Sequence, residues 1–359
     1  MKSRIAGIWA TFVLASVAVA TAQTYTITDI GVLKGDNESS GFWLNNLGDV
    51  VGCSDTQTVQ GYPCTGLVAG QHAFYWSKSG GMKDLGTMQS GTVSGATGIN
   101  DAGTVVGYSN IAGQPVTNFY AFQWTAAGGM VNLGTLWGGN SSAAFEVNSA
   151  GVITGDSFLG NGLVNAASWT NQKIRNLGSL PKAIFTAGLD INDSGQIVGE
   201  SVFTYGPPFS SHAFLWNGSS MKDLGTLPGG LTSVANAINA PGVIVGQSDG
   251  AFTRGSWHAV LWNSSLKIQD LGVLPGGTYS MAFGVNDSSV VVGYGNLFNN
   301  APHAMIWTSA GGMQDLNSLI PAGSGWVLVN ANAINNVGQI TGYGTKGGHN
   351  RAFLLTPVN

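Results

Sequence analysis

Charge is the scarcest commodity in this chain. Lysine, arginine, aspartate and glutamate make up 8% of its 359 residues, and thirteen bases against seventeen acids leave a net charge of −4. No cluster of Lys or Arg occurs after the first few residues, so the positive footprint that phosphate backbones demand is missing. Nucleic acid is excluded as a partner on that ground. Cysteine is nearly absent too, with Cys53 and Cys64 the only two. Two cysteines without paired histidines nearby make neither a zinc framework nor, if they bridge, a catalytic thiol, and a disulfide is the expected state. Beyond residue 23 no apolar run approaches membrane length, so no membrane span is expected. P-loop and HExxH are both missing.

The single long apolar stretch lies at the start. Lys2 and Arg4 precede Ile5 to Ala20, and Ala20-Thr21-Ala22 has the small-x-small form that signal peptidases cut. Residues 1–22 therefore read as a signal peptide and 23–359 as one exported domain, secreted into an extracellular or periplasmic space where a Cys53–Cys64 bridge would persist.

What the chain has in abundance is glycine, 55 residues, alongside 43% hydrophobic content and eleven tryptophans. That composition excludes disorder and points to a repeated, turn-rich β architecture. Asn45, Asn100, Asn148, Asn192, Asn239, Asn286 and Asn335 each follow Leu, Ile or Val, and each precedes by seven positions a glycine: Gly52, Gly107, Gly155, Gly199, Gly246, Gly293 and Gly342. From Asn45 to Asn335 the six steps average about 48 residues. Three positions after the Asn stands a glycine in six copies and Ser289 in the other, as a tight turn ending at positive φ requires. The segments flanking this turn read as strands a and b. Strand c carries HAFYW at 72–76, HAFLW at 212–216 and their counterparts at Tyr120, Asn165, His258, His303 and Arg351. Strand d carries Asp-Leu-Gly or a near variant, beginning with Asp29-Ile30-Gly31.

The combination of HAFLW, GMxDLGTLPGG and AINxxGxVVGxS resembles the HAF-type extracellular repeat family, over roughly Thr26 to Leu355. The third copy, with Asn165-Ala166-Ala167, and the seventh, with Arg351, depart from it most. No activity or site residue attaches to that resemblance.

A four-stranded sheet of this size cannot bury both faces alone, so neighbouring sheets must stack. The chain begins with a strand d and ends with a strand c, which predicts that its two ends complete one sheet between them. The expected fold is all-β, a seven-bladed β-propeller with one-plus-three strand closure. Trp76, Trp124, Trp169, Trp216, Trp262, Trp307 and Leu355 are expected to pack between sheets, and the strand-c histidines to bond neighbouring turns.

Function is sought where repetition fails. The a–b and c–d turns share one face and are short, whereas the b–c and d–a loops share the other and vary. Loop aromatics Trp257, Tyr205, Trp137 and Trp326 are candidates for ligand binding, in a weakly charged setting that suits a polysaccharide or protein partner, with the protein itself a monomer. Two positions before the turn Asn the copies read Trp43, Gly98, Glu146, Asp190, Ala237, Gly284 and Ala333, and Asp156 and Glu200 follow the strand-b glycine in the same two acidic copies. These four carboxylates are the candidates for acid/base catalysis. No cofactor is expected, and calcium is the metal such oxygen ligands would take. Two functions follow: a secreted binding or scaffolding module for a glycan or protein, and, as the alternative, a carbohydrate-active enzyme (glycoside hydrolase or lyase) using Glu146, Asp190, Asp156 and Glu200.

Overall fold

The computed structural model describes residues 23–55, 64, 70–115, 117–253 and 255–358, so the expected signal peptide at 1–22 lies outside the described residues. The fold is all-β. Its strands form five four-stranded sheets and one eight-stranded sheet, all with antiparallel neighbours except at one point. The eight-stranded sheet is two four-strand sets joined only where Val164 pairs in parallel with Phe185. Among the described residues no sheet closes on itself. Repeats are numbered below by their turn asparagine, from Asn45 in the first to Asn335 in the seventh.

The fifth repeat shows the pattern: strand a Ser233–Ile238, b Ile244–Ser248, c His258–Trp262 and d Ile268–Asp270, paired in that order. In the seventh, Trp326–Ile334, Ile340–Lys346 and His349–Pro357 supply a, b and c, and the fourth strand is the N-terminal Tyr25–Gly31. It runs antiparallel to the last strand, with Tyr25 opposite Pro357 and Asp29 opposite Phe353.

Local chemistry explains why every a–b turn needs asparagine. In the fifth repeat Asn239 Oδ1 accepts the Val243 N–H at 2.7 Å, capping its own turn, while Nδ2 donates to the Asn286 carbonyl of the next repeat at 2.9 Å. The same two-handed arrangement recurs at all seven. Nδ2 of Asn45, Asn100, Asn148, Asn192, Asn239 and Asn286 each donates to the backbone oxygen of the following turn Asn, and Asn335 donates to Asn45 at 3.0 Å. The hydrogen bonds thus make a closed circuit among buried groups. Aspartate lacks the donor and serine the reach, so the carboxamide is the group that serves both turns. Ser289, where the other turns have glycine, takes φ 58° and keeps the turn.

A second weld was not foreseen from the sequence. In five repeats a serine at the start of strand a (Ser39, Ser94, Ser142, Ser233 and Ser280) accepts the N–H of the strand-c alanine and donates to the strand-d glycine carbonyl of the preceding repeat, while the fourth has Thr186 and the seventh Leu328 at that place. Ser233 does so with Ala213 and Gly225, and Ser39 does so across the chain ends with Ala352 and Gly31. The histidines differ from expectation. His72, His212, His258 and His303 pair through Nδ1 with Asp84, Asp223, Asp270 and Asp315 of strand d, at 2.7–3.0 Å, rather than with a turn. Each of those aspartates also accepts the N–H two residues on, so one carboxylate ties strand c to the bend that ends strand d. That double use couples the HAF and DLG motifs.

Trp76, Trp124, Trp169, Trp216 and Trp262 are buried, as is Leu355, each in a core cluster with residues of a neighbouring repeat, while Trp307 is half-buried. Cys53 and Cys64 are disulfide-bonded with Cα atoms 6.0 Å apart, and most of the loop they close lies outside the described residues.

Asn239→Asp keeps the acceptor for Val243 and loses the donor to Asn286. It is expected to lower stability by about 1–3 kcal/mol, the cost of leaving a buried carbonyl unpaired, read as a fall in the denaturation midpoint at unchanged slope. An unchanged midpoint would show that the circuit is ornamental.

Candidate functional site

Strand a carries a β-bulge in every repeat, centred on Phe42, Thr97, Phe145, Leu189, Asn236, Phe283 and Asn332. The residue after the bulge, two before the turn Asn, sits where all seven repeats converge. A cavity of 200 Å³ there is lined by residues of every repeat, Trp43, Glu146 and Asp190 among them. Trp43 packs against three separate core clusters, those of the first and second, fifth and sixth, and seventh and first repeats. Its indole therefore reaches across the middle, and the small Gly98, Ala237, Gly284 and Ala333 at the equivalent positions leave it room. Repetition drew attention to the acids at this level and missed Trp43 as the central plug.

Glu146 and Asp190 are both buried. Asp190 Oδ1 accepts the Ile191 N–H and Oδ2 the Ile238 N–H of the next repeat, each at 2.7 Å. Burial raises its pKa to about 6 in spite of those two donors. Burial also holds Glu146 well above the usual carboxylate range, helped by the charge of Asp190 and opposed by the Val147 and Ile99 N–H groups. A methyl on Gly98 would stand 2.7 Å from the Glu146 carboxylate, which explains the glycine there. These acids bridge repeats through backbone amides. They are not the open pair, facing solvent, that glycoside chemistry requires, and the four expected carboxylates do not form one site.

Asp156 and Glu200 do not line the central cavity. They lie on the long-loop side, where the Tyr205 phenol is raised by burial and then by the negative charges of Glu200 and Asp156. Burial raises Asp156 to about 7 against a hydrogen bond from Ala143, and raises Glu200 as well. Asp156, Glu200 and Tyr205 thus share one electrostatic neighbourhood in the third and fourth repeats. Among the described residues no three His, Cys, Asp or Glu side chains are placed to hold a metal ion.

The loop aromatics divide. Trp137 is 93% exposed and Tyr205 66% exposed. Trp257 is half-buried and its Nε1 donates to Thr232, so it folds back onto the scaffold. Trp326 is a correction: it is 8% exposed, edge-on to Phe353 in the core, because strand a of the last repeat extends to include it. Phe252 and Phe298, 89% and 92% exposed on b–c loops, were missed. Their signal was available, since each stands in a short Gly- or Asn-rich loop with no partner strand to cover it.

A carboxyl whose pKa is higher in the folded than in the unfolded chain binds its proton more tightly when folded, so stability falls as pH rises between the two values and stays low above them. For Asp156 that window runs from the ordinary value of 3.8 to about 7. Asp156→Asn is expected to stabilise the protein at pH 8 by on the order of 2 kcal/mol, to change little at pH 4, and to flatten the profile between. Equal effects at both pH values would show that burial of the charge is not the cause.

No protein-family model matches the chain, and no curated protein does. Among solved structures it is similar to an extracellular domain assigned to a one component system of B. thetaiotaomicron, at TM-score 0.51 and 9% identity over 94% of this chain and 40% of that one. TolB from Acinetobacter baumannii matches with TM-score 0.47 and 12% identity over 76% of this chain and 62% of its own. A Trypanosoma rangeli sialidase in complex with the inhibitor DANA matches at 0.44 and 10%, over 89% and 55%. The chain spans less than two thirds of the length of each. At such identities the likeness is one of fold alone.

Proposed function

We propose that this chain is a seven-bladed β-propeller of the HAF-repeat kind, exported as a binding module that recognises a glycan or a protein through its long-loop face. One observation carries the reading. Trp137, Tyr205, Phe252 and Phe298 stand more than half exposed on loops of that one face, in the third to sixth repeats, where large aromatic surface has no role in the core. The disulfide supports an oxidising compartment, and no helix of the described residues is long and apolar enough to cross a membrane. The protein acts as a monomer without a cofactor.

A second reading rests on Asp156, which burial brings to about 7 beside Glu200 and the exposed Tyr205. A carboxyl in that range can hand a proton to a leaving group at neutral pH, so a glycoside hydrolase or lyase would be built here rather than on Glu146 and Asp190. Calcium, if used, would bind the same two carboxylates.

The test is retention by a panel of polysaccharides, with turnover measured in the same samples with and without calcium. Trp137→Ala and Tyr205→Ala are each expected to weaken retention about tenfold while the melting temperature holds. Retention that responds equally to changes on the short-turn face, such as Leu47→Ala and Val337→Ala, sinks the loop-face reading. Turnover abolished by Asp156→Asn would replace binding by catalysis.

A further inference from the structure

Ser168 breaks a pattern inside strand c. Two positions after the strand-c alanine the seven copies read Tyr75, Gln123, Ser168, Leu215, Leu261, Ile306 and Leu354. The bulky members fill the space before the next repeat. Leu215, Leu261, Ile306 and Leu354 each sit in a core cluster with residues of the repeat that follows around the ring, and Tyr75 stacks on Trp124 with centroids 6.2 Å apart. Ser168 is too short to do this, and a groove of 630 Å³ opens there between the third and fourth repeats, on the short-turn side. Sites for small molecules run from about 300 to 1,000 Å³.

The groove carries charge of one sign. Opposite Ser168 and Thr170, on strand d, stand Arg175 and Lys173, and cross-strand partners share one face of a sheet. That face looks at the fourth repeat, because Thr154, the partner of Ser168 on its other side, donates its hydroxyl to the Gly188 carbonyl there. Arg175 reaches across the opening, its guanidinium 4.9 Å from the centre of the Trp216 ring and its Nη2 3.5 Å from the Gly218 carbonyl. None of the residues lining the groove is an acid, and neither base has an acidic partner among the described residues. The Ser168 hydroxyl, on a residue only 7% exposed, is also without a hydrogen-bond partner among them. Behind lie Val152, Ile191, Ile197 and Trp216, apolar side chains packed between the two repeats. The first repeat supplies the contrast. There Lys83, the cross-strand partner of Tyr75, stands over Trp124 as Arg175 does over Trp216, but Tyr75 fills the room beneath.

We propose that this groove binds a small organic anion, its carboxylate or sulfonate head held by Lys173 and Arg175 and its apolar body laid against Val152, Ile191, Ile197 and Trp216. Two unpaired cations on one face, with no acid in the lining, select a negative head, and the planar fork of Arg175 matches the paired oxygens of an oxyanion. The Ser168 hydroxyl adds a donor between the two. A bare inorganic ion would leave most of the 630 Å³ empty and make no use of the apolar floor. The site lies on the opposite face from the aromatic loops and rests on nothing in the loop-face reading.

The test uses the whole protein and ligand-detected NMR with benzoate, hexanoate and benzenesulfonate, with benzamide and hexanol as neutral counterparts and sulfate and phosphate as bare ions. At least one organic anion is expected to bind, about tenfold better than the neutral compounds and more weakly as salt rises. Which anion binds tells a carboxylate head from a sulfonate. Arg175→Gln and Lys173→Gln should each weaken binding about tenfold, whereas Lys83→Gln should leave it unchanged. Ser168→Leu, which installs the residue of the fourth, fifth and seventh repeats, should abolish binding and raise the melting temperature by filling the groove. Melting curves report whether each variant folds, and Ser168→Val replaces Ser168→Leu if that variant does not. The site is overturned if no organic anion binds, if benzamide or hexanol binds as well as the anions, if sulfate and phosphate alone bind, or if binding is indifferent to Lys173, Arg175 and Ser168. Polysaccharide retention through Trp137 and Tyr205 stands or falls separately, since neither residue touches this groove.

Discussion

Everything in this molecule hangs on one side chain used twice. The turn asparagine closes its own hairpin with Oδ1 and grips the next hairpin with Nδ2, and seven such grips return to their starting point. Each bond taken singly contributes on the order of 1 kcal/mol, and none closes a sheet. Together they set the spacing of the repeats around the middle, where strand edges do not meet. The serine welds do the same work farther out, and the N-terminal strand ties the ends together beside the last strand.

Within that frame the middle is filled by departures from repetition. A uniform ring of small residues would leave an open bore, and a uniform ring of large ones would not fit. One indole from the first repeat, Trp43, crosses the centre, and two acids from the third and fourth repeats take hydrogen bonds from neighbouring backbone amides. Burial without a countercharge raises their pKa values, so they are perturbed for structural reasons. A shifted carboxyl is a mark of burial first and of chemistry only when it also reaches solvent or a ligand. Asp156 and Glu200, beside Tyr205, come closer to meeting that condition than Glu146 and Asp190 do.

Much of the scaffold was legible in the sequence because its signals are backbone signals. Asn–x–x–Gly specifies a turn whatever surrounds it, a first strand of type d and a last strand of type c can complete one sheet between them, as Tyr25–Gly31 and His349–Pro357 do, and a bulky residue repeated in strand c has only the space between sheets to fill. Cys53 and Cys64 were paired by elimination. The partners of side chains were much less legible. That His212 meets Asp223 depends on register across a hairpin, and that Glu146 meets Ile99 depends on which repeat lies beside which. Trp326 was misread because only tertiary packing decides whether a residue between two strands is loop or strand. The exposed phenylalanines were overlooked because tryptophan and tyrosine drew attention first, although a loop with nothing to cover it exposes any of the three alike.

The central claim is that the asparagine bonds form a circuit and not a row. Native-state hydrogen exchange of the seven capped N–H groups, those of Asp49, Thr104, Val152, Gln196, Val243, Val290 and Gln339, tests it directly. In a circuit no turn is an end, so the seven should exchange with similar free energies that show no trend along the chain. Free energies that fall step by step toward the first and seventh repeats, as in a linear array that frays from its ends, would contradict it.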